Sequence, residues 1–201
     1  MASVDFWFEL ASTYSYPAAM RIDGVAAAYG VSVRWRPFLL GPIFKSQGWD
    51  TSPFKVYPAK GRYMWRDMER LCQHYDLPFA VPGDMAGFPR HSVLAARVAL
   101  VGLEAGWGRD FVKSACTAQF AQQADIADRS LLKTLVEPLV DDPEAVLAAA
   151  TSPDIKTQLR MNTEEAVQRG LFGAPSFTVG DELFWGNDRL ETAFDWASKG
   201  F

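Results

Sequence analysis

Hydrophobic positions along the chain change their period from one stretch to the next, and those changes mark its elements. Residues 4–8, Val-Asp-Phe-Trp-Phe, are apolar on both alternating faces apart from Asp5, the pattern of a strand inside a sheet. The run ends in Leu10-Ala11-Ser12-Thr13-Tyr14-Ser15. Residues 15–29, rich in alanine, predict a helix closed by Gly30, a residue that tolerates the left-handed position past a helix end. In residues 31–38, Val33 and Trp35 alternate with Ser32, Arg34 and Arg36, as in a half-exposed strand. Strand, helix and strand so closely joined make a βαβ unit with a right-handed crossover.

From 40 to 60 the pattern breaks up. Gly41-Pro42, Gly48, Ser52-Pro53 and Pro58 punctuate it and predict a long loop. Its content of Phe44, Lys45, Trp49, Phe54 and Tyr57 is too aromatic for simple disorder and suits the wall of a pocket, although Trp49 fits a core or interface role equally well. Residues 62–75 place Met64, Trp65, Met68, Leu71, Cys72 and Tyr75 on one helical face. An irregular stretch through Phe88, Arg90 and His91 follows, then a helix over 92–104 that is apolar nearly all round. Further helices are expected over 110–122, 130–140, 143–150 and 153–169, with Pro143 and Pro153 near helix starts and Pro138 ending or kinking the second of these.

The last thirty or so residues return to strand periodicity. Residues 170–179 lead a turn into a strand, Gly180-Asp181 reverses it and 183–185 return, so a β-hairpin is expected. Gly186-Asn187-Asp188-Arg189-Leu190 then opens a helix with Asp188 as its cap. The order βαβ, helices, ββα is that of an α/β fold: a thioredoxin-type sheet carrying a helical insertion. Residues 1–60 and 170–201 would form the sheet domain and 61–169 the inserted helical domain.

Composition narrows the function classes. The 201 residues are 49% hydrophobic and 22% charged, with a formal net charge of -4, which suits a globular chain able to bury a sizeable core. Lys and Arg are scattered, so the basic footprint of a nucleic-acid binder is missing, while a local site for a small anion remains possible. No basic, apolar leader precedes the first strand and no apolar run reaches membrane length, which gives the expectation of a cytoplasmic protein away from membranes. Cys72 and Cys116 form no C-x-x-C pair and have no His beside them at ligand spacing. They read as buried filler, and no metal site is expected.

The candidate chemistry begins at Ser12. It sits where the first helical N–H groups have no partner and the dipole favours negative charge, so its hydroxyl is aimed at an anion. Equally, Ser12 or Ser15 could simply cap the helix.

Glu9-Leu10-Ala11-Ser12-Thr13-Tyr14-Ser15-Tyr16 resembles the S-P-Y-S-Y segment of the 2-hydroxychromene-2-carboxylate isomerases. Gly173-Ala174-Pro175-Ser176-Phe177 and Phe184-Trp185-Gly186-Asn187-Asp188-Arg189-Leu190 are similar to that family's G-V-P-T-F and F-W-G-N-D-R-L, and Pro58-Ala59-Lys60-Gly61-Arg62-Tyr63-Met64 also has its counterpart there. The family sits with kappa-class glutathione transferases and DsbA-like oxidoreductases. In this alignment Ser12 and Ser15 take the places of the two cysteines of C-x-x-C. Disulfide exchange needs a sulfur nucleophile, so a bound thiol must supply it.

The resemblance implies glutathione as that thiol. Its cysteine would pair with the backbone of Ala174 beside a cis Pro175, and its γ-glutamyl end would be held by Trp185, Gly186, Asn187 and Asp188. Ser12 would donate to the thiolate, which adds to the chromene or its ring-opened form, allows rotation, and leaves to give trans-o-hydroxybenzylidenepyruvate. Lys45 and Arg90 are the candidate cations for this small aromatic carboxylate; Phe44, Trp49 and Phe88 are candidate walls. Relatives are commonly homodimers, so a dimer is implied too. Thr13 replaces the family's proline, Ala174 its valine, and Gly48-Trp49-Asp50-Thr51 departs from its loop. His91, where an Asn often begins the central helix, is expected to be structural. A kappa-like transferase and a non-catalytic thioredoxin-fold binding protein stay open as alternatives.

Overall fold

β1 (Ser3–Phe8) lies inside a four-stranded sheet because nothing on it past Ser3 but Asp5 asks for water. From Val4 onward every residue of the strand is buried. The computed structural model describes residues 2–83 and 87–200. α1 (Ser15–Tyr29) carries the chain across to β2 (Ser32–Pro37), which pairs with β1 in parallel, Phe6 opposite Trp35. Gly30 ends α1 in the left-handed conformation, φ 63°. Asp5, 4% exposed, is neutralised by Arg34 through bonds of 2.5 and 2.9 Å and by Arg36, which also reaches Glu165.

Then come α2 (Leu40–Ser46), α3 (Pro53–Val56), α4 (Pro58–His74), α5 (Val93–Ala105), α6 (Gly108–Phe120), α7 (Arg129–Val136), α8 (Pro143–Ala149) and α9 (Pro153–Gln168). β3 (Ser176–Val179) returns antiparallel to β1, and β4 (Glu182–Trp185) closes a hairpin around Gly180-Asp181, giving the order β2-β1-β3-β4. The hairpin and the inserted helices are those the periodicity predicts. A short 3₁₀ turn (Asn187–Arg189) leads into α10 (Leu190–Lys199).

Two expectations change. Residues 40–60 are not a loop: they hold α2, α3 and the first turn of α4, which begins four residues before the expected start. The prolines read as breakers occupy first turns, Pro53 and Pro58 at the start of α3 and α4, where the missing N–H has no helical partner to lose. The caps change as well. α1 follows Tyr14 with no side-chain cap, and Asp188 makes no cap bond because it lies within the 3₁₀ turn rather than ahead of a helix.

One buried cluster joins sheet and inserted helices. Phe6 is at its middle, stacked on Phe8 and Phe177 at 5.2 and 5.5 Å and edge-on to Trp35 at 5.0 Å. The cluster continues through Met64 and Met68 of α4, Val98 of α5 and Phe111 of α6. α5, apolar nearly all round, packs against α6, α8 and α9 and against β2.

Candidate active site

The chain leaves β1 and turns into α1 through Glu9-Leu10-Ala11-Ser12-Thr13-Tyr14. The turn is held by Ser12 N–H donating to the Glu9 carbonyl at 3.0 Å and Ser15 N–H to the Ser12 carbonyl at 3.1 Å. Ser15 is buried, its oxygen accepting from Glu9 N–H at 3.4 Å. Ser12 is half-buried, and its hydroxyl donates across the fold to the Ala174 carbonyl at 2.8 Å. It is therefore no helix cap.

Ala174 precedes Pro175, and the peptide between them is cis. The Pro175 carbonyl accepts from Gly186 N–H at 2.9 Å, which ties the start of β3 to the end of β4. Gly173 makes room for the Trp185 indole: a Cβ there would stand 2.3 Å from Nε1. Trp185, half exposed, also packs on Phe172, ring centroids 4.9 Å apart.

Asn187 is 2% exposed, and its Oδ1 accepts from Arg21 at 3.0 Å. A guanidinium can only donate, so it fixes the amide with oxygen toward Arg21 and Nδ2 turned away. Among the described residues that Nδ2 has no partner. Arg21 is itself set by Glu191 and by the Tyr75 ring 3.8 Å beneath its guanidinium. Asp188 lies open on the rim.

These elements form one wall of a cavity of about 1790 Å³. That exceeds the roughly 300–1,000 Å³ of an ordinary small-molecule pocket and leaves room for a tripeptide and a second molecule together. α2, α3 and the start of α4 make the facing wall with Phe44, Trp49, Phe54 and Lys60, and the segment before α5 adds Phe88, Arg90 and His91. Gly61 lets α3 lie close against α4, since a Cβ there would meet the Phe54 carbonyl at 2.4 Å. Tyr14 on the near wall donates to Asp67 at 3.0 Å; burial first, and then the Asp67 charge, push its phenol up.

Of the residues singled out in the sequence, Ser12, Ala174, Trp185, Gly186, Asn187, Asp188, Trp49, Phe88 and Arg90 line this cavity together. Two do not. Pro175 lies buried behind Ala174, and Lys45 stands exposed on the turn of α2 beyond Phe44, outside the lining. Lys55 and Lys60 provide the cations on that wall instead. Arg90 pairs with Asp125 at 3.6 Å. Phe88 also packs edge-on against Trp65 at 5.1 Å. His91 is an exposed residue of the cavity wall, not a buried structural one. Cys72 and Cys116 are buried and unbridged as expected. Burial pushes both thiols up to about 12, and neither lines the cavity.

Among the lining residues that sequence reading gave no role, Glu9 stands out by its burial. Glu9 is 6% exposed, accepts from the Ser92 hydroxyl, and has the backbone N–H groups of Ala11 and Ser12 facing its carboxyl. Burial raises its carboxyl to about 7, outweighing these donors, which act in the lowering direction. A folded-state value above the unfolded 4.5 means that the folded chain binds more protons between about pH 4.5 and 7, so stability falls as pH rises through that window. Glu9→Gln should flatten this dependence. Urea melts of both proteins at either end of the window check it: a parallel loss in the variant would assign the dependence to other groups.

The family model described as a DSBA-like thioredoxin domain matches residues 3–195. The chain belongs to this family. It is 29% identical over 195 residues to the 2-hydroxychromene-2-carboxylate isomerase of Sphingobium xenophagum, covering 94% of each chain. It is 26% identical over 213 residues to glutathione S-transferase kappa 2 of Caenorhabditis elegans, covering 98% of this chain and 92% of that one. A solved 2-hydroxychromene-2-carboxylate isomerase superposes with a TM-score of 0.84 at 25% identity, over 98% of this chain and 95% of the other. This DsbA-like chain has serines at both positions of its first turn where disulfide exchange would need sulfur. Its relatives are isomerases and glutathione transferases, and an enzyme of that broad kind is what the family membership supports.

Proposed function

We propose that the chain is a glutathione-dependent cis–trans isomerase acting on 2-hydroxychromene-2-carboxylate or a close aromatic analogue. The observation that carries this reading is the Ser12 hydroxyl, 2.8 Å from the Ala174 carbonyl at the foot of a two-molecule cavity. A hydroxyl has one proton to give. When a cysteinyl residue adds to the edge at Ala174, its own N–H replaces Ser12 at that carbonyl, and the freed hydroxyl turns to the sulfur. A charge-assisted bond of this kind, with the start of α1 behind it, favours the thiolate over the thiol.

The γ-glutamyl end then reaches Asn187 and Asp188. Asn187 offers Nδ2 to the carboxylate, its amide held by Arg21, and Asp188 pairs with the ammonium. The aromatic acid fills the remaining space among Trp49, Phe54 and Phe88, its carboxylate met by Lys60 and Arg90, with Lys45 too far out to help. The thiolate adds to the conjugated double bond of the ring-opened substrate, turning it into a rotatable single bond. After rotation the carbanion re-forms the double bond and expels the thiolate, so glutathione is returned and nothing is oxidised or reduced.

Chromene absorbance followed with and without glutathione tests the reading. Turnover that requires glutathione, with no free thiol consumed, supports it; thiol consumed with an electrophile such as chlorodinitrobenzene, and no isomerisation, favours the kappa-like transferase. Asp188→Asn should raise the KM for glutathione about fivefold and leave kcat unchanged, because an ion pair on an exposed rim is worth up to about 1 kcal/mol. An unchanged KM would remove Asp188 from the site.

A further inference from the structure

Glu9 has no role in that mechanism, yet it is an acid buried in the wall of the same cavity. Its surroundings name its partners. On its own turn are the N–H groups of Ala11 and Ser12; from the start of α5 comes the Ser92 hydroxyl. On α6 stand the Cys116 thiol, itself raised partly by the Glu9 charge, and Gln119, whose Nε2 donates to the Leu10 carbonyl at 3.1 Å. Tyr14, Asp67, Arg90, His91 and Asp125 share the cavity wall. Among the described residues Glu9 forms no ion pair, and Arg90 is paired with Asp125.

The Glu9 carboxyl thus rests on neutral donors. Glu9 and Ser12 stand three residues apart on one turn, and both line the cavity. A thiolate arriving at Ser12 while Glu9 stayed ionised would set a second negative charge on the same turn as a buried one, which is costly. A proton passing from one to the other removes that cost and leaves the net charge as it was.

We infer that Glu9 is the base that takes the thiol proton of the incoming glutathione. The S–H bond breaks, an O–H bond forms on the Glu9 carboxylate, the electron pair stays on sulfur, and no electrons are exchanged with another group. Binding then exchanges a buried carboxylate for a bound thiolate and releases almost no proton to solvent. A carboxyl poised near 7 suits this exchange with a thiol whose free value is about 8.5. When the thiolate leaves the product, Glu9 keeps its proton until glutathione dissociates.

The inference rests on the glutathione reading and is tested apart from it by counting protons. Glutathione is titrated calorimetrically into the full chain at about pH 7.5, between the two ionisations, in two buffers of different ionisation enthalpy, while thiolate absorbance is followed in parallel. S-methylglutathione, which has no thiol proton, is the control. The wild type should form thiolate with near-zero proton release. Glu9→Gln should form it with close to one proton released per site, and neither protein should release protons with the S-methyl compound. Thiolate accompanied by about one released proton in the wild type would overturn the role of Glu9 and leave the glutathione site standing. No binding of either ligand would overturn both.

Discussion

Ser12→Ala is expected to lower kcat/KM roughly 10- to 100-fold, the factor that follows from losing a hydrogen bond to a charged group worth about 1.5–3 kcal/mol. The hydroxyl now bonded to the Ala174 carbonyl is the donor assigned to glutathione sulfur, so the loss should appear as a thiol that ionises at higher pH. Raising the pH should therefore recover part of the lost rate in the variant. Ser12→Thr, which keeps a hydroxyl, should retain more activity than alanine. Folding should change little, because the side chain is half-buried and fills no core space. Steady-state rates across pH for the three proteins make the comparison. Equal rates for serine and alanine would take sulfur chemistry away from this position.

Phe6→Ala is expected to destabilise the fold by about 3–5 kcal/mol, the range for emptying a buried aromatic position. Phe6 is fully buried and touches three other rings, those of Phe8, Trp35 and Phe177, so one truncation removes contacts to β1, β2 and β3 together. The neighbours cannot all move into the space, because each is fixed by its own strand. Phe6→Leu should recover much of the loss. In urea the midpoint should fall with an unchanged slope, as for loss of stability without a change in the unfolded ensemble. A midpoint shift under 1 kcal/mol equivalent would mean that the sheet does not depend on this stack.

Much of this architecture is legible in local pattern. The helix over 15–29 ends where Gly30 says it should, and the alternation of Val33 and Trp35 marks the buried face of β2. What local pattern could not separate is a proline that breaks a helix from one that begins it. Pro53 and Pro58 look alike in a string, and only the helices that follow show them to be first-turn residues. The same limit applies to caps. Ser12 and Asp188 have the right chemistry for capping, but the partner that claims the Ser12 hydroxyl lies 162 positions away at Ala174.

Long-range partnership also explains the residues that sequence reading missed. Glu9 follows an apolar strand, and nothing nearby in the chain says that Ser92, 83 positions on, will bury it. Arg21 looks like a solvated helix cation until Asn187 and Glu191 are packed against it. Lys45 shows the converse. Its aromatic surroundings in sequence suggest a pocket cation, yet one helical residue past Phe44 is a turn of about 100°, enough to carry it out of the cavity that Phe44 lines.

A crystal of the protein grown with glutathione tests the central claim most directly. The account predicts sulfur within hydrogen-bond distance of Ser12 Oγ, the cysteinyl N–H on the Ala174 carbonyl, and the γ-glutamyl group at Asn187 and Asp188. Glutathione seated with its sulfur away from Ser12, or a cavity left empty at saturating ligand, would contradict it.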